Sequence, residues 1–282
     1  MVASIAVLTA LALAPAASAA RLPADALATV GWPPAGGLPE RTRAEPDRGE
    51  CVSTKRVAEA RRWAGRRAGT ISFAVLDECG RLVGDHRYRV HYSASVVKVM
   101  LMVAYLRRED VRDGALSEAE QAMLGPMITM SDNGRANQVY AIVGEEGLYE
   151  LAEDAGMRRF TTMAAWGGSE ITPGDQASFV GRIERYVPKR HEDYALGLMA
   201  DVIGPQRWGV PRLQLPGWRI HLKGGWSPQS SGGWRVNQVA LLTDGDRRFS
   251  VAIFTSDQPD YAYGQGSIEG VGKRLLRQYR RR

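Results

Sequence analysis

The stretch that decides the fold reads Ser95-Val96-Val97-Lys98 and runs directly into the apolar segment Val99-Met100-Leu101-Met102-Val103-Ala104. Three residues are nearly one turn of a helix, so a helix that starts at Ser95 would carry the Ser95 hydroxyl and the Lys98 amine on one face. Burial lowers the pKa of an amine, and a neutral amine can accept the proton of a serine hydroxyl. The spacing predicts an activated serine nucleophile. For so short a motif, a capped amphipathic helix is the alternative.

Two further polar motifs follow in chain order. A helix is predicted to begin at the capping box formed by residues 117–120 and to end at Ser131-Asp132-Asn133. Much later, a β-like run over residues 218–222 leads into Lys223-Gly224-Gly225. The chain therefore carries a serine–lysine pair, a Ser-Asp-Asn triplet and a lysine–glycine strand, in that order.

This ordered set resembles the signature of the serine β-lactamase and D,D-peptidase (penicillin-binding) superfamily, and it is most similar to class A β-lactamases. The similarity extends beyond the motifs and reaches from Cys51 to the C-terminus. Residues 70–77 look like the first strand of these proteins, and residues 130–137 look like the Ser-Asp-Asn loop and the helix after it. Residues 215–218 look like the approach to the Lys-Gly-Gly strand.

The resemblance implies a role for each matched side chain. Ser95 would be the acylated nucleophile, Lys98 would activate it, and Ser131 would pass a proton to the leaving nitrogen. Asn133 would hydrogen-bond the amide side chain of the substrate. Lys223 would keep the Ser131 hydroxyl acidic and attract the carboxylate that ends both a β-lactam and a D-alanyl peptide.

The resemblance also implies how the backbone and a second cation would contribute. The oxyanion hole would be formed by the backbone N–H of Ser95 and that of Trp226, the residue after Gly225. Arg235, at the start of the neighbouring strand, would add a cationic contact to the substrate carboxylate. An exposed strand arginine is the alternative for Arg235. No cofactor is implied.

The loop that serves deacylation departs from the class A pattern. Class A enzymes carry a W-E-x-x-L-N loop whose Glu positions the deacylating water, but here Gly167 follows Trp166 and the loop is shorter. We therefore expect slow deacylation. Glu170 could replace the missing base from a rearranged loop, but we expect it to be solvated or paired with an arginine.

Two more departures concern the substrate cleft. Gly224 stands where the K-T-G motif has a hydroxyl residue, which removes a hydrogen bond of about 1 to 2 kcal/mol to the substrate carboxylate. The interval between Ser95 and Ser131 is also shorter than expected for class A. The missing stretch would form one wall of the cleft, so we expect the cleft to admit something larger than a β-lactam.

The N-terminal region predicts export. Residues 5–14 are apolar but too few to span a bilayer, and they precede the small-residue pattern Ala17-Ser18-Ala19 that signal peptidase cuts. Residues 1–19 are therefore predicted to be an export signal. Residues 20–50 are rich in Pro, Gly and Arg without a hydrophobic period and are predicted to be a tether.

The two cysteines fit an exported domain. A helix over residues 53–67, a strand over 70–76 and a second strand over 81–88 would double the chain back and bring Cys79 near Cys51. Outside the cytoplasm this geometry favours a disulfide, with two free thiols as the alternative.

Composition narrows the remaining classes. The 282 residues are 44% hydrophobic and 24% charged, which excludes a disordered or collagen-like chain. Two Cys and four His, none at finger spacing, do not predict a metal site. The net charge of +6 could suggest nucleic acid, but the predicted export argues against that partner. Attraction to anionic cell-envelope polymers is the weaker alternative.

These observations predict an α/β (α+β) protein whose domain covers residues 51–282. About five mostly antiparallel strands would come from residues 52–97 and 206–282, which would pack against a helical part over residues 98–205. We expect a monomeric, secreted or cell-envelope serine hydrolase without stable membrane insertion. It would act on a β-lactam or a peptidoglycan-like peptide. A protein that keeps the fold for binding, without turnover, is the alternative.

Overall fold

A computed structural model describes residues 51–163 and 165–280. The export signal and the tether predicted for residues 1–50 lie outside the described residues. The helices are α1 (Thr54–Ala64), α2 (Lys98–Leu106), α3 (Glu118–Thr129), α4 (Asn133–Asp154), α5 (Pro173–Gly181), α6 (Glu192–Ala200) and α7 (Tyr261–Leu275). The strands are β1 (Thr70–Leu76), β2 (Leu82–Asp85), β3 (His91–Tyr92), β4 (Glu170–Ile171), β5 (Arg219–Pro228), β6 (Trp234–Asp244) and β7 (Arg247–Gln258).

The main sheet has five antiparallel strands in the order β2-β1-β7-β6-β5. Its central strands are buried on both faces, and alternate residues of β1 enter different cores. Phe73 and Val75 pack in the core that includes residues of α1 and α7, whereas Ala74 packs in the core that includes α2 and α5. The predicted α/β class and the sheet of about five antiparallel strands flanked by helices are confirmed. The division into an α/β part and a helical part stays a prediction.

The apolar run after Lys98 forms α2, and every residue of this helix is buried. The sequence pattern suggested a helix that starts at Ser95, but α2 starts three residues later. Residues Ala94–Val97 form a 3₁₀ turn, and α2 begins at Lys98. Ala94 has a φ of +46°, outside the helical region, so the chain enters this turn abruptly and tightens before it continues as an α-helix.

The first hairpin is held by the disulfide between Cys51 and Cys79, whose Cα atoms lie 5.4 Å apart, so the predicted pairing is confirmed. The second strand of this hairpin is shorter than the predicted span of residues 81–88. It ends at Asp85 because the next residue, His86, has a φ of +47° and leaves the extended conformation. No helix within residues 51–163 and 165–280 is long and apolar enough to cross a membrane.

A two-stranded sheet ties the segment before Ser95 to the loop that follows α4. Tyr92 of β3 pairs with Glu170 of β4, and the backbone N–H of Ser93 donates to the carbonyl of Ser169 over 2.8 Å. Thr161 forms an isolated bridge with Glu170 on the other side. The loop is thereby fixed against the residues that lead into Ser95.

Candidate active site

The Lys98 amine is the centre of a buried polar cluster. Lys98 is fully buried, and its Nζ donates to the Ser131 carbonyl over 2.6 Å and to Asn133 Oδ1 over 2.8 Å. A longer contact of 3.3 Å joins Nζ to the Ser131 hydroxyl. Burial lowers the pKa of Lys98 from its usual value of 10.5 to about 8, although the Asp132 carboxylate acts in the opposite direction. A substantial fraction of the amine is therefore neutral near pH 8.

The Ser-Asp-Asn triplet owes its shape to a helix cap. The Asp132 side chain accepts from the backbone N–H of Arg135 over 2.8 Å and caps α4, so Asn133 becomes the first residue of that helix. Ser131 has a φ of +61°, which is strained for a residue with a side chain. This strained turn directs both the carbonyl and the hydroxyl of Ser131 toward Lys98.

A second lysine reaches the same hydroxyl from the sheet. Lys223 on β5 is fully buried, and its Nζ donates to Ser131 Oγ over 2.9 Å and to the Gly224 carbonyl over 2.9 Å. Burial lowers the pKa of Lys223 well below its usual value, and the positive charge of Lys98 lowers it further. The Ser131 hydroxyl thus lies between two amines, as the sequence motifs suggested.

The backbone of Ser95 packs directly against β5. A Cβ atom added to Gly225 would lie only 2.7 Å from the Ser95 backbone nitrogen and 2.9 Å from the Ser93 carbonyl, so only glycine fits at this position. Trp226 follows Gly225 on β5, where it pairs with Val236 of β6. The Ser95 side chain is half-buried. Within the described residues, no hydrogen bond joins its hydroxyl to the Lys98 amine.

Asn237, which the sequence reasoning missed, anchors the approach to Ser95. It lies opposite Gly225 on β6 and is fully buried. Its Nδ2 donates to the Tyr92 carbonyl over 2.9 Å, and its Oδ1 accepts from the Thr255 backbone N–H over 3.0 Å. Two adjacent amide residues, Asn237 and Gln238, inside a predicted strand were the sequence signal that could have identified it.

Arg235 is placed on β6, directly opposite Ser227. Its guanidinium lies 4.9 Å from the centre of the Tyr92 ring, a cation–π contact, and burial lowers its pKa. Arg235 is therefore partly buried against the segment that leads to Ser95 rather than being a freely exposed strand arginine.

The absence of a hydroxyl residue at position 224 has a packing cause. A Cβ atom at Gly224 would lie 2.7 Å from the indole of Trp208, which is fully buried on that side of β5. Any side chain there would collide with this ring. The space that a larger residue would need is filled by tryptophan.

The loop after α4 brings an aromatic ring, and not a carboxylate, to Lys98. The centre of the Trp166 ring lies 4.7 Å from Lys98 Nζ, and the indole Nε1 donates to Asn137 Oδ1 over 2.8 Å. Glu170 accepts a hydrogen bond of 3.0 Å from the Thr161 hydroxyl and is half-buried. Of the two expected states of Glu170, partial exposure to solvent fits the structure, and its hydrogen-bond partner is a threonine.

This arrangement defines a class of protein. An antiparallel five-stranded sheet, a serine and a lysine at the start of a buried helix, and a second lysine on the edge strand together give the serine β-lactamase-like fold. A family model described as the beta-lactamase enzyme family matches residues 119–279, and the chain belongs to this family. No curated protein matches the sequence.

Solved structures share the fold at low sequence identity. The beta-lactamase from Sphaerobacter thermophilus DSM 20745 is 22% identical with a TM-score of 0.70, over 81% of this chain and 98% of that one. The class A beta-lactamase from Mycobacterium abscessus is 17% identical with a TM-score of 0.68, over 79% and 99%. A protein named PBP-A is 16% identical with a TM-score of 0.68, over 82% and 98%.

Proposed function

We propose that the protein is a secreted serine hydrolase that is acylated at Ser95 by a β-lactam or a related amide or peptide, and that it deacylates slowly. The observation that carries this proposal is the buried Lys98 amine, whose pKa of about 8 lets it act as a base and which contacts the Ser131 hydroxyl. The amine of Lys223 is buried against the same hydroxyl. If Lys98 had only a structural role, this second buried amine would add electrostatic repulsion without any benefit to stability.

The proposed acylation uses the cluster in a fixed order. The neutral Lys98 amine accepts the proton of Ser95, and Ser95 Oγ bonds to the carbonyl carbon of the substrate. The C–N bond then breaks, the Ser131 hydroxyl donates its proton to the leaving nitrogen, and the protonated Lys98 amine restores that proton to Ser131. The contacts of the Ser131 hydroxyl with both amines, 3.3 Å to Lys98 Nζ and 2.9 Å to Lys223 Nζ, support this path.

Backbone and cationic groups would stabilise the charges. The N–H groups of Ser95 and Trp226 would donate to the developing oxyanion, and the close approach of Gly225 to the Ser95 nitrogen supports this assignment. Lys223 and Arg235 would bind the substrate carboxylate. Asn133 would hydrogen-bond the amide side chain of the substrate while it holds Lys98.

Slow deacylation follows from the composition of the loop. Gly167 has no side chain at the position of the class A glutamate, and the Glu170 carboxylate is bound to Thr161. A water molecule that attacks the ester would need a base. This feature also favours the second candidate function, a penicillin-binding or D,D-peptidase-like cell-envelope protein that holds its acyl group. The disulfide of Cys51 and Cys79 supports a location outside the cytoplasm.

Covalent labelling tests the proposal. A fluorescent penicillin should label the full chain at one site, and Ser95→Ala should abolish the label, whereas Ser231→Ala, a substitution of an exposed serine, should retain it. With a chromogenic cephalosporin we expect one stoichiometric burst. Continuous turnover would contradict slow deacylation. Absence of label with β-lactam, ester and peptide probes alike would overturn the hydrolase in favour of a protein that only binds.

A further inference from the structure

The Trp166 side chain covers one side of the Lys98 amine. The three N–H groups of a protonated lysine have three acceptors here, the carbonyl and hydroxyl oxygens of Ser131 and the amide oxygen of Asn133. The indole ring lies on the remaining side at 4.7 Å. At this separation the ring is in direct cation–π contact with the amine, and no layer of water fits between them.

Hydrogen bonds hold both the ring and the backbone of Trp166. Its Nε1 donates to Asn137 Oδ1 over 2.8 Å on α4. Its backbone carbonyl lies 2.8 Å from the Ser169 hydroxyl and 3.4 Å from the Ser93 hydroxyl. These contacts fix the Trp166 backbone against the segment before Ser95, and the ring can turn away from the amine only by breaking the hydrogen bond to Asn137.

We propose that the Trp166 indole closes the active site beside Lys98 and keeps water away from the acyl ester formed at Ser95. Trp166 is then a positioning residue that sets the lifetime of the acyl-enzyme. The inference rests on the proposed function, and it identifies the side chain that lies beside Lys98 in a loop whose Gly167 supplies no water-activating carboxylate.

The chemistry of ester hydrolysis explains the effect. A water oxygen must bond to the ester carbon, a base must take one of the water protons, and Ser95 Oγ must leave with a proton when the ester bond breaks. An indole ring has no basic atom to accept a proton, because its nitrogen is a donor only. On the side that Trp166 covers, both the water and the base for it are therefore excluded.

The test compares two substitutions of Trp166 in the full chain. Trp166→Ala opens the space beside Lys98, whereas Trp166→Phe keeps an aromatic ring and loses only the hydrogen bond to Asn137. Both variants are labelled with fluorescent penicillin, and the rate of labelling and the half-life of the label are measured separately. We expect the alanine variant to shorten the half-life about tenfold and to change the labelling rate less than about threefold. The phenylalanine variant should keep the half-life within about twofold.

A further variant distinguishes an effect of the indole from a loss of folding. Asn137 is exposed, and Asn137→Ala removes the anchor of the indole without changing the ring. It should shorten the half-life by a smaller factor than Trp166→Ala. If both variants melt like the unmodified protein and keep its label half-life, the inference is overturned.

An independent readout does not require acylation. NMR titration of Lys98 in lysine-labelled protein should give a pKa near 8. In Trp166→Ala the loss of the cation–π contact lowers this pKa and the return of water raises it; because burial is the main cause of the lowered value, we expect a net rise toward the usual value. Trp166→Phe should leave it low. If the unmodified chain takes no label, the proposed function fails, and this titration alone decides whether Trp166 shields Lys98. An unchanged pKa in Trp166→Ala would reject the shielding.

Discussion

The Lys98 amine is lined by polar groups on one side and by an aromatic ring on the other. On the side of the sheet and α4, the amine meets Ser131 and Asn133, and Lys223 approaches the same hydroxyl. On the side of the loop, it meets the face of the Trp166 ring. The groups that acylation needs are crowded on one side, while the other side offers an aromatic surface. Under the proposed function, this difference predicts that acylation and deacylation depend on separate parts of the chain.

Two residues beside the site have strained backbone conformations. Ala94, next to the proposed nucleophile, and Ser131, between the two amines, both have positive φ angles of +46° and +61°. Such conformations cost about 1 to 3 kcal/mol each and persist where the surrounding contacts over-determine them. At Ser131 those contacts are the hydrogen bonds that its carbonyl and hydroxyl accept from Lys98 and Lys223, whereas His86, Gln214 and Asp257 adopt positive φ angles elsewhere in the described chain.

The largest effect is expected from removing the amine. Lys98→Ala should lower the rate of labelling by fluorescent penicillin about 10²- to 10⁴-fold, because Ser95 then lacks its base. Lys189→Ala, which removes a highly exposed lysine, is the matched control and should label at the normal rate. Stopped-flow labelling and thermal melting of both variants separate lost chemistry from lost folding. A normal labelling rate in Lys98→Ala would assign the role of base to another group.

The acylation rate should also depend on pH in a defined direction. The amine must be neutral to accept a proton, and its pKa is about 8, so the neutral fraction falls as the pH drops below that value. We expect the second-order labelling rate to fall about tenfold per pH unit between pH 7 and 5, and to level off above about pH 8. Deprotonation of Lys223, whose pKa is also lowered, should weaken carboxylate binding at the alkaline end. A rate that is flat from pH 5 to 8 would contradict Lys98 as the base.

Replacing a glycine by alanine should have opposite effects on stability in the strand beside Ser95 and in the helix α6. Gly225→Ala should lower the free energy of unfolding by about 1 to 3 kcal/mol, because the new Cβ meets the Ser95 and Ser93 backbone. Gly197→Ala in α6 is the matched control, since a Cβ there meets nothing within 4 Å. It should raise the free energy of unfolding by about 0.5 to 1 kcal/mol. Urea denaturation measures both. Equal changes in the free energy of unfolding would show that a side chain fits at position 225 without a steric clash.

Local sequence patterns predicted the polar side of the site well. Short-range rules apply to the capping box at Ser117, the apolar run of α2 and the β-like run that opens β5, so these three segments were assigned to the correct type of element. The order of the motifs then brought Lys98, Ser131 and Lys223 together through the resemblance to a known fold. The start of α2 was misplaced because the conformation of Ala94 is imposed by its neighbours in space.

The loop side was predicted poorly for a physical reason. The motif comparison identified Gly167 as the residue that lacks a carboxylate, but it could not show which side chain fills the space beside Lys98. That space is filled by Trp166, which is held by Asn137, a residue far away in sequence. Likewise, the collision of Trp208 with a side chain at Gly224 depends on tertiary packing alone. Contacts of this kind have no local sequence signal.

The smallest expected effect tests whether the two sides are separable. The Ser169 hydroxyl is fully buried and lies 2.8 Å from the Trp166 carbonyl and 2.9 Å from the Thr162 hydroxyl. Ser169→Ala removes both hydrogen bonds, while the Trp166 carbonyl still accepts from the Ser169 backbone N–H, and should cost about 1 kcal/mol of stability. Because the substitution loosens the loop and leaves the contacts of Lys98 with Ser131 intact, the label half-life should shorten about twofold while the labelling rate stays within error.

Thr161→Val is the matched control at the far end of the loop. It removes the hydrogen bond to Glu170, which does not support the indole, so the label half-life should stay unchanged. Labelling rates and half-lives measured on both variants therefore decide whether the loop acts on deacylation through Trp166 alone. A fall in the labelling rate of Ser169→Ala comparable to that of Lys98→Ala would show that the loop also orders the acylation side, since Ser169 additionally accepts from the Ser93 backbone. In that case the two half-reactions would share one support and could not change independently.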